Sequence, residues 1–262
     1  MKKMKVAIIG AGNMGGAMAR GMAQGTVIPA ENITVSNPSQ GKLDQLKAEF
    51  PDLRTTNDNS TAVQGADLVI LAVKPWLIRG VLHELQLPAP TILASVAAGI
   101  TLDDIQKETG DTCRPVVRIM PNTAISLQQS MTLLSKNHSV TEEQTRILSE
   151  IFQEMGSVCW ISEELLPAAT SLASCGIAYA LKYIQAAMQA GIEMGLYPQN
   201  AIQMVAQSMK GAAEIMLSQN THPSAEINKV CTPGGLTIKG INELDHHGFT
   251  SAIIQAMKAS SK

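Results

Sequence analysis

Aromatic residues are scarce in this sequence: three Phe, three Tyr and two Trp among 262 residues, 3% of the chain. Surfaces that stack nucleobases need rings, so the scarcity argues against a protein that grips single-stranded nucleic acid. Charge is also scarce, at 16%, and it nearly cancels, with 20 Lys and Arg against 22 Asp and Glu. No basic run is present to follow a phosphate backbone or an anionic bilayer. The four cysteines, Cys113, Cys159, Cys175 and Cys231, form no C-x-x-C pair. That spacing excludes a cysteine-built metal site and leads us to expect buried, reduced thiols in a cytoplasmic protein. The histidines offer no ligand spacing either, because the adjacent His246 and His247 point different ways on a helix. No metal is therefore expected. No stretch reaches the ~20 apolar residues of a membrane span. The apolar run that follows the basic Met1–Lys5 stops at Gly10, too soon for a signal peptide. Neither nucleic acid nor membrane is expected as a partner.

Aliphatic residues are what the chain has in plenty. Hydrophobic residues make up 45%, with 14 Met and much Ala as filler. The length allows one large or two modest domains, each of roughly 100–200 residues, and a sizeable core. In the first half, short apolar runs at Val6–Ile9, Ile33–Ser36, Leu68–Val73, Thr91–Ser95 and Pro115–Met120 read as strands. Several are apolar throughout, as strands covered on both faces should be. Met14–Gln24, Gly41–Glu49, Trp76–Leu85 and Leu102–Lys107 read as helices between them. Such alternation predicts a parallel, doubly wound α/β sheet. Thr132–Leu134, a helix over Thr141–Met155 and Ser157–Ile161 add a closing α-β unit.

Beyond Ile161 no strand is predicted. Glu163–Gly195 is a long Ala- and Met-rich helical stretch, Gln199–Ser218 the next helix, and three shorter helices follow. The boundary is set at 161, giving a dinucleotide-binding domain over 1–161 and an all-helical domain over 162–262. Ala180, Ala186, Ala187 and Ala190 with Met188 and Met194 leave little polar surface on the long stretch. A helix apolar all round is a buried one, and about a hundred residues are too few to bury it. Two chains that interleave these helices in a homodimer would solve the problem.

Strand Val6–Ile9 runs directly into Gly10-Ala11-Gly12-Asn13-Met14-Gly15, and a helix follows. This is G-x-G-x-x-G in the context that gives it meaning. Gly10 permits the tight turn, Gly12 lets a pyrophosphate reach the backbone, and Gly15 brings helix and strand together. The helix start supplies free N–H groups and partial positive charge to phosphate. The bare string has a bland alternative, a strand–helix turn with no ligand. The second strand ends Ser36-Asn37-Pro38-Ser39 with no acid for a ribose 2′-hydroxyl. Asn37 and Ser39 are able to donate to a 2′-phosphate, with Lys42 close by. NADPH is therefore favoured, with NADH as the second choice. Further contacts are expected where later strands end, at Ala72-Val73-Lys74-Pro75 and at Ala97, Ala98 and Gly99, whose small size lets a flat ring approach.

A second candidate site is Thr232-Pro233-Gly234-Gly235-Leu236-Thr237. The N–H groups of Gly234, Gly235 and Leu236 suit an anion nest ahead of a helix, and the hydroxyls of Thr232 and Thr237 donate or accept. A small-molecule carboxylate would fit there. The alternative is an ordinary helix start with Thr232 as its cap.

Taken together, these segments resemble the pyrroline-5-carboxylate reductase family. Gly10–Gly15, Ala72-Val73-Lys74-Pro75, Arg118-Ile119-Met120-Pro121-Asn122-Thr123, Thr232–Ile238 and His247–Ala252 carry the likeness, in order along the chain. It implies a Rossmann-type domain followed by an all-α dimerisation domain, often in higher oligomers. It also implies reduction of 1-pyrroline-5-carboxylate to L-proline by NAD(P)H. On the resemblance, Asn37, Asn59 and Lys74 match cofactor positions, Thr237 the hydroxyl beside the imine nitrogen, and Gly235 and Leu236 the carboxylate donors. Three features depart from the family pattern: Ser174-Cys175-Gly176-Ile177 replaces Gly-Ser-Gly-Pro, Lys229 stands for an asparagine, and Leu236 for a smaller residue. The competing enzyme reading is a hydroxyacid dehydrogenase with Lys182 as its acid. The competing non-enzymatic reading is an NADP-binding sensor.

Overall fold

The computed structural model describes residues Met4–Ser261. By internal contacts they form two compact units, one ending at Ser174 and one starting at Cys175.

The first unit holds eight strands: β1 Val6–Ile9, β2 Ile33–Ser36, β3 Arg54–Thr56, β4 Leu68–Leu71, β5 Ile92–Ser95, β6 Val116–Met120, β7 Ser130–Lys136 and β8 Gly156–Trp160. Its helices are α1 Asn13–Ala23, α2 Gln40–Glu49, α3 Asn59–Ala62, α4 Ile78–Glu84, α5 Leu102–Thr109, α6 Glu142–Gln153 and α7 Leu166–Thr170. The strands form one sheet in the order β3-β2-β1-β4-β5-β6-β7-β8. Pairing is parallel from β3 across to β6 and between β7 and β8, but β6 and β7 run antiparallel. The expected closing unit is therefore a reversal of strand direction followed by a parallel crossover through α6. Apolar clusters cover both faces. Ile8, Ile70, Val117 and Phe152 belong to one cluster, and Ile9, Leu71, Leu93 and Ile105 to the other. That is why β1, β4, β5 and β6 are buried at every position. Strand order reverses between β1 and β4, and ligands in such sheets sit outside the carboxyl ends at that point.

The sequence boundary at 161 and the contact boundary at Ser174 differ for a physical reason. Leu166 on α7 is buried against Met120 and Leu133 of the sheet, and Glu163 pairs with Arg118 at 2.9 Å. The head of the helical run thus packs with the sheet. After α7 the chain makes a π-helical turn, Ser171–Cys175, in which the departure Ser174-Cys175 lies.

The second unit comprises α8 Gly176–Glu193, α9 Pro198–Gln219, α10 Pro223–Val230, α11 Leu236–His246 and α12 Phe249–Ala259. Among the described residues, Ala201 is its only buried apolar side chain, packed closely against Gly191. Leu181, Met194, Met204 and Leu217 are all exposed. This unit has helices but no core of its own.

Two expectations need correction. The helical run Glu163–Glu193 is, by length and composition, long and apolar enough to cross a membrane. Polar residues scattered along the run, such as Lys182, Gln185 and Gln189, keep it from reading as an apolar stretch in the sequence. The thiols are free, but they are not buried: Cys113 and Cys159 are exposed and the other two half-buried. Cys113 lies in a turn, and Cys159 faces outward on the alternating strand β8.

Candidate functional site

The site on the first unit is built where β1 ends. Gly10 has φ +105°, and a Cβ there would stand 2.6 Å from the Ala72 carbonyl oxygen. Its N–H donates to the Ser36 carbonyl at 2.8 Å, tying the turn to β2. A Cβ on Gly15 would overlap the Gly10 carbonyl oxygen and crowd the Ala72 methyl. Gly12 is different: a Cβ there would meet nothing within 4 Å. Gly12 is also the N-cap of α1, with no side chain capping the helix and no acid in its first turn. Gly10 and Gly15 are thus required by packing, whereas Gly12 leaves open space before free N–H groups. Those residues fit a pyrophosphate. The exposed Asn13 and the half-buried Met14 open the helix.

Asn37 does not act as the free donor that its position suggested. Its side chain is buried, with Oδ1 accepting from the Ala11 N–H at 3.0 Å and Nδ2 donating to the Ser39 carbonyl at 3.1 Å. It holds the glycine turn against the end of β2. The exposed Ser39 heads α2 without capping it, and the first turn of α2 carries no acid. Lys42 is exposed one turn on. Asn59 accepts from the Ser36 hydroxyl at 2.6 Å. The adjoining β3 and α3 were not predicted. The signal available for them was Asp58, which caps α3 by accepting from the Ser60 and Thr61 amides. The Thr61 hydroxyl also donates to it, and together these bonds hold the Asp58 carboxyl below the usual carboxylate range.

β4 and β5 deliver their ends to the same edge, with Ile9 level with Leu71 and Leu71 level with Ser95. Ala72 and Val73 are half-buried and Lys74 is exposed, and Pro75 starts a single 3₁₀ turn. Ala97 is buried with its N–H on the Ser95 hydroxyl, while Ala98 and Gly99 are exposed and Gly99 has φ +76°. Thr101 and Asp104 then form a capping box on α5. The Thr101 hydroxyl and amide hold the Asp104 carboxyl low, with smaller help from the charges of Lys107 and Arg118.

On the second unit, Gly234 takes φ +71° and the Gly235 N–H donates to the Thr232 carbonyl at 3.0 Å. The Gly235 amide is therefore used in closing the turn and is not a free nest donor; the amides of Gly234 and Leu236 are the candidates. Thr232 does not cap α11. The N-cap is Gly235, with no side-chain cap and no acid in the first turn. A Cβ on Gly235 would stand 2.6 Å from the Thr232 hydroxyl oxygen. Thr237 lines a groove of about 940 Å³ with Tyr183, Met209, Glu226 and Val230. Lys229 pairs with Glu226 at 2.6 Å, and Leu236 is 86% exposed. Lys182 is exposed and donates to Gln185 three residues along its own helix.

Comparison with known proteins places two sequence profiles on the chain: NADP oxidoreductase, coenzyme F420-dependent, over residues 5–99, and pyrroline-5-carboxylate reductase dimerisation over residues 163–262. The chain is 34% identical to a pyrroline-5-carboxylate reductase of Escherichia coli, over 97% of this chain and 94% of that one. It is 35% identical to pyrroline-5-carboxylate reductase 1 of Dictyostelium discoideum, aligning over 98% of this chain but spanning only 48% of that longer relative. A crystal structure of Plasmodium falciparum pyrroline carboxylate reductase with NADP bound superposes with a TM-score of 0.89 at 25% identity, covering 100% and 97% of the two chains.

Proposed function

The chain belongs to the pyrroline-5-carboxylate reductase family, and we propose that it reduces 1-pyrroline-5-carboxylate to L-proline, the last step of proline biosynthesis, using NADPH. The observation that carries this reading is the open, uncapped start of α1 behind Gly12, at the point where strand order reverses. When bound, NADPH supplies the hydride for the C=N bond. Gly12 and the first N–H groups of α1 receive its pyrophosphate. Ser39 and Lys42 serve the 2′-phosphate, and Asn37 keeps the turn in place for them. Asn59, Ala72–Pro75 and Ala97–Gly99 line the remainder. On the second unit, the amides of Gly234 and Leu236 and the Thr232 hydroxyl hold the substrate carboxylate. The Thr237 hydroxyl bonds the ring nitrogen and orients its proton. A protonated imine is already electrophilic, so the residues contribute chiefly placement.

Two results are expected of the purified protein. NADPH is consumed in the presence of the cyclic imine and proline accumulates; NADPH also saturates at lower concentration than NADH, since no acid stands at the end of β2. Reduction of NADP+ by 3-hydroxy acids, with no turnover of the imine, would transfer the assignment to the hydroxyacid dehydrogenases.

A second copy of the chain is the partner that the helical unit requires. Exposed apolar faces of this extent mark protein contact surfaces, and the dimerisation profile covers the same residues. Sedimentation at micromolar concentration should give a dimer or a multiple of it, and a stable monomer would defeat the proposal. The free thiols accord with a cytoplasmic setting.

A further inference from the structure

One buried charged group takes no part in the chemistry above. Arg118 lies on β6 in the segment Arg118–Thr123, and only 8% of it is exposed. Two residues before it, Val116 packs with Leu102 and Ile105 of α5, so the Arg118 side chain leaves the sheet on the face that α5 covers. Its Nη1 donates to Glu163 Oε1 at 2.9 Å, and its Nε has no partner. The same Glu163 oxygen accepts from the Leu102 N–H, the first amide of α5, at 2.8 Å. The first turn of α5 is therefore held twice: internally by the box between Thr101 and Asp104, and externally by a carboxylate that is itself fixed by a buried guanidinium. Immediately before that turn lies Val96–Ile100, the segment that carries Ala97, Ala98 and Gly99.

We propose that Arg118 and Glu163 are positioning residues for the nicotinamide end of the cofactor, acting through the Leu102 amide on the loop Val96–Thr101. This rests on the reading that Ala97–Gly99 line the place of that ring. The loop is pinned at its start by the Ser95 hydroxyl on the Ala97 N–H, at its end by the Thr101–Asp104 box, and one residue on by Glu163 at the Leu102 amide. Release of Glu163 leaves the start of α5 held by the box alone, and the turn at Gly99, with φ +76°, then lets Ala98 drift from its position. Small displacements of this kind weaken oriented binding far more than they weaken folding. Glu163 is 29% exposed, so its removal leaves no isolated charge beyond Arg118, and the substitution Arg118→Lys keeps that charge.

The test uses the full chain and two ligands: NADPH, and 2′,5′-ADP, which shares the phosphate-bearing half and lacks the nicotinamide. Glu163→Ala and Arg118→Lys should each weaken NADPH about tenfold and leave 2′,5′-ADP within twofold. Glu163→Gln, which keeps an oxygen for the Leu102 amide, should recover most of the loss. Amide exchange at Leu102 in the ligand-free protein should speed up in Glu163→Ala and not in Glu163→Gln. Equal weakening of both ligands, or no weakening of either, overturns the proposal. A parallel variant, Ala98→Leu, adds bulk where the ring is placed. If it weakens NADPH alone while the Glu163 variants do nothing, the positioning role fails and the reading of the loop stands. If it leaves NADPH untouched, the reading of the loop fails and the positioning role falls with it.

Discussion

Replacement of Thr237 by Ala should lower kcat by about 10²- to 10³-fold and leave the NADPH dissociation constant unchanged, as loss of one oriented hydrogen-bonding group at a reacting centre does. Thr237 is the second residue of α11 and is exposed in the single chain. Among the described residues its hydroxyl has no hydrogen-bond partner, so nothing in the fold depends on it. An ordinary helix-surface threonine could be changed at a cost within about 0.5 kcal/mol, and its loss would not touch turnover. Thr237→Ser keeps the oxygen and should retain most of the rate. Steady-state kinetics with the cyclic imine, beside NADPH binding, separate the outcomes: equal loss of kcat and kcat/KM points to an interaction made in the transition state. Near-normal turnover in Thr237→Ala would remove the residue from the mechanism.

Substitution of Gly15 by Ala should destabilise the first unit by about 3 kcal/mol, the upper part of the usual range for overpacking, and abolish measurable NADPH binding. The added methyl would meet the Gly10 carbonyl oxygen and the Ala72 Cβ, the latter at 2.9 Å. One collision partner is backbone and the other a short side chain on the neighbouring strand end, so neither is able to swing away. Relief requires α1 to move off β1, and that movement withdraws the N–H groups from the phosphate site. Gly12→Ala provides the contrast. Its methyl enters open space, so the thermal midpoint should barely move while NADPH affinity falls. Similar losses of stability in the two variants would mean that the two glycines do not divide the work in this way.

The parts of the fold that were legible in the sequence are those fixed by local pattern and burial. β1, β4, β5 and β6 read as continuous apolar runs because both faces of the sheet are covered. β3 and α3 were not legible. β3 is an edge strand of three residues, Arg-Thr-Thr, with no buried position, and α3 is a single turn set by the Asp58 cap. The antiparallel entry of β7 also left no trace, since strand direction depends on where the chain can cross. At the site, residue types gave the chemistry but not the bonding. The side chain of Asn37 turns inward to Ala11, 26 residues away, and the Gly235 amide closes its own turn. Arg118 and Glu163 stand 45 residues apart, and no spacing rule connects them. The lack of a core in the helical unit was the most legible feature of all, because alanine and methionine on every side of a helix ask for more cover than about a hundred residues supply.

The bare glycine at the head of α1 bears on any attempt to make this protein more robust. Routine stabilisation replaces a glycine at a helix start with serine or aspartate, for a gain of a few tenths of a kcal/mol. At Gly12, where a side chain would meet open space, such a replacement would install a permanent internal occupant in the place proposed for the cofactor's phosphate oxygens. A search guided by melting temperature alone would reward it, and the hardened protein would be a poorer enzyme.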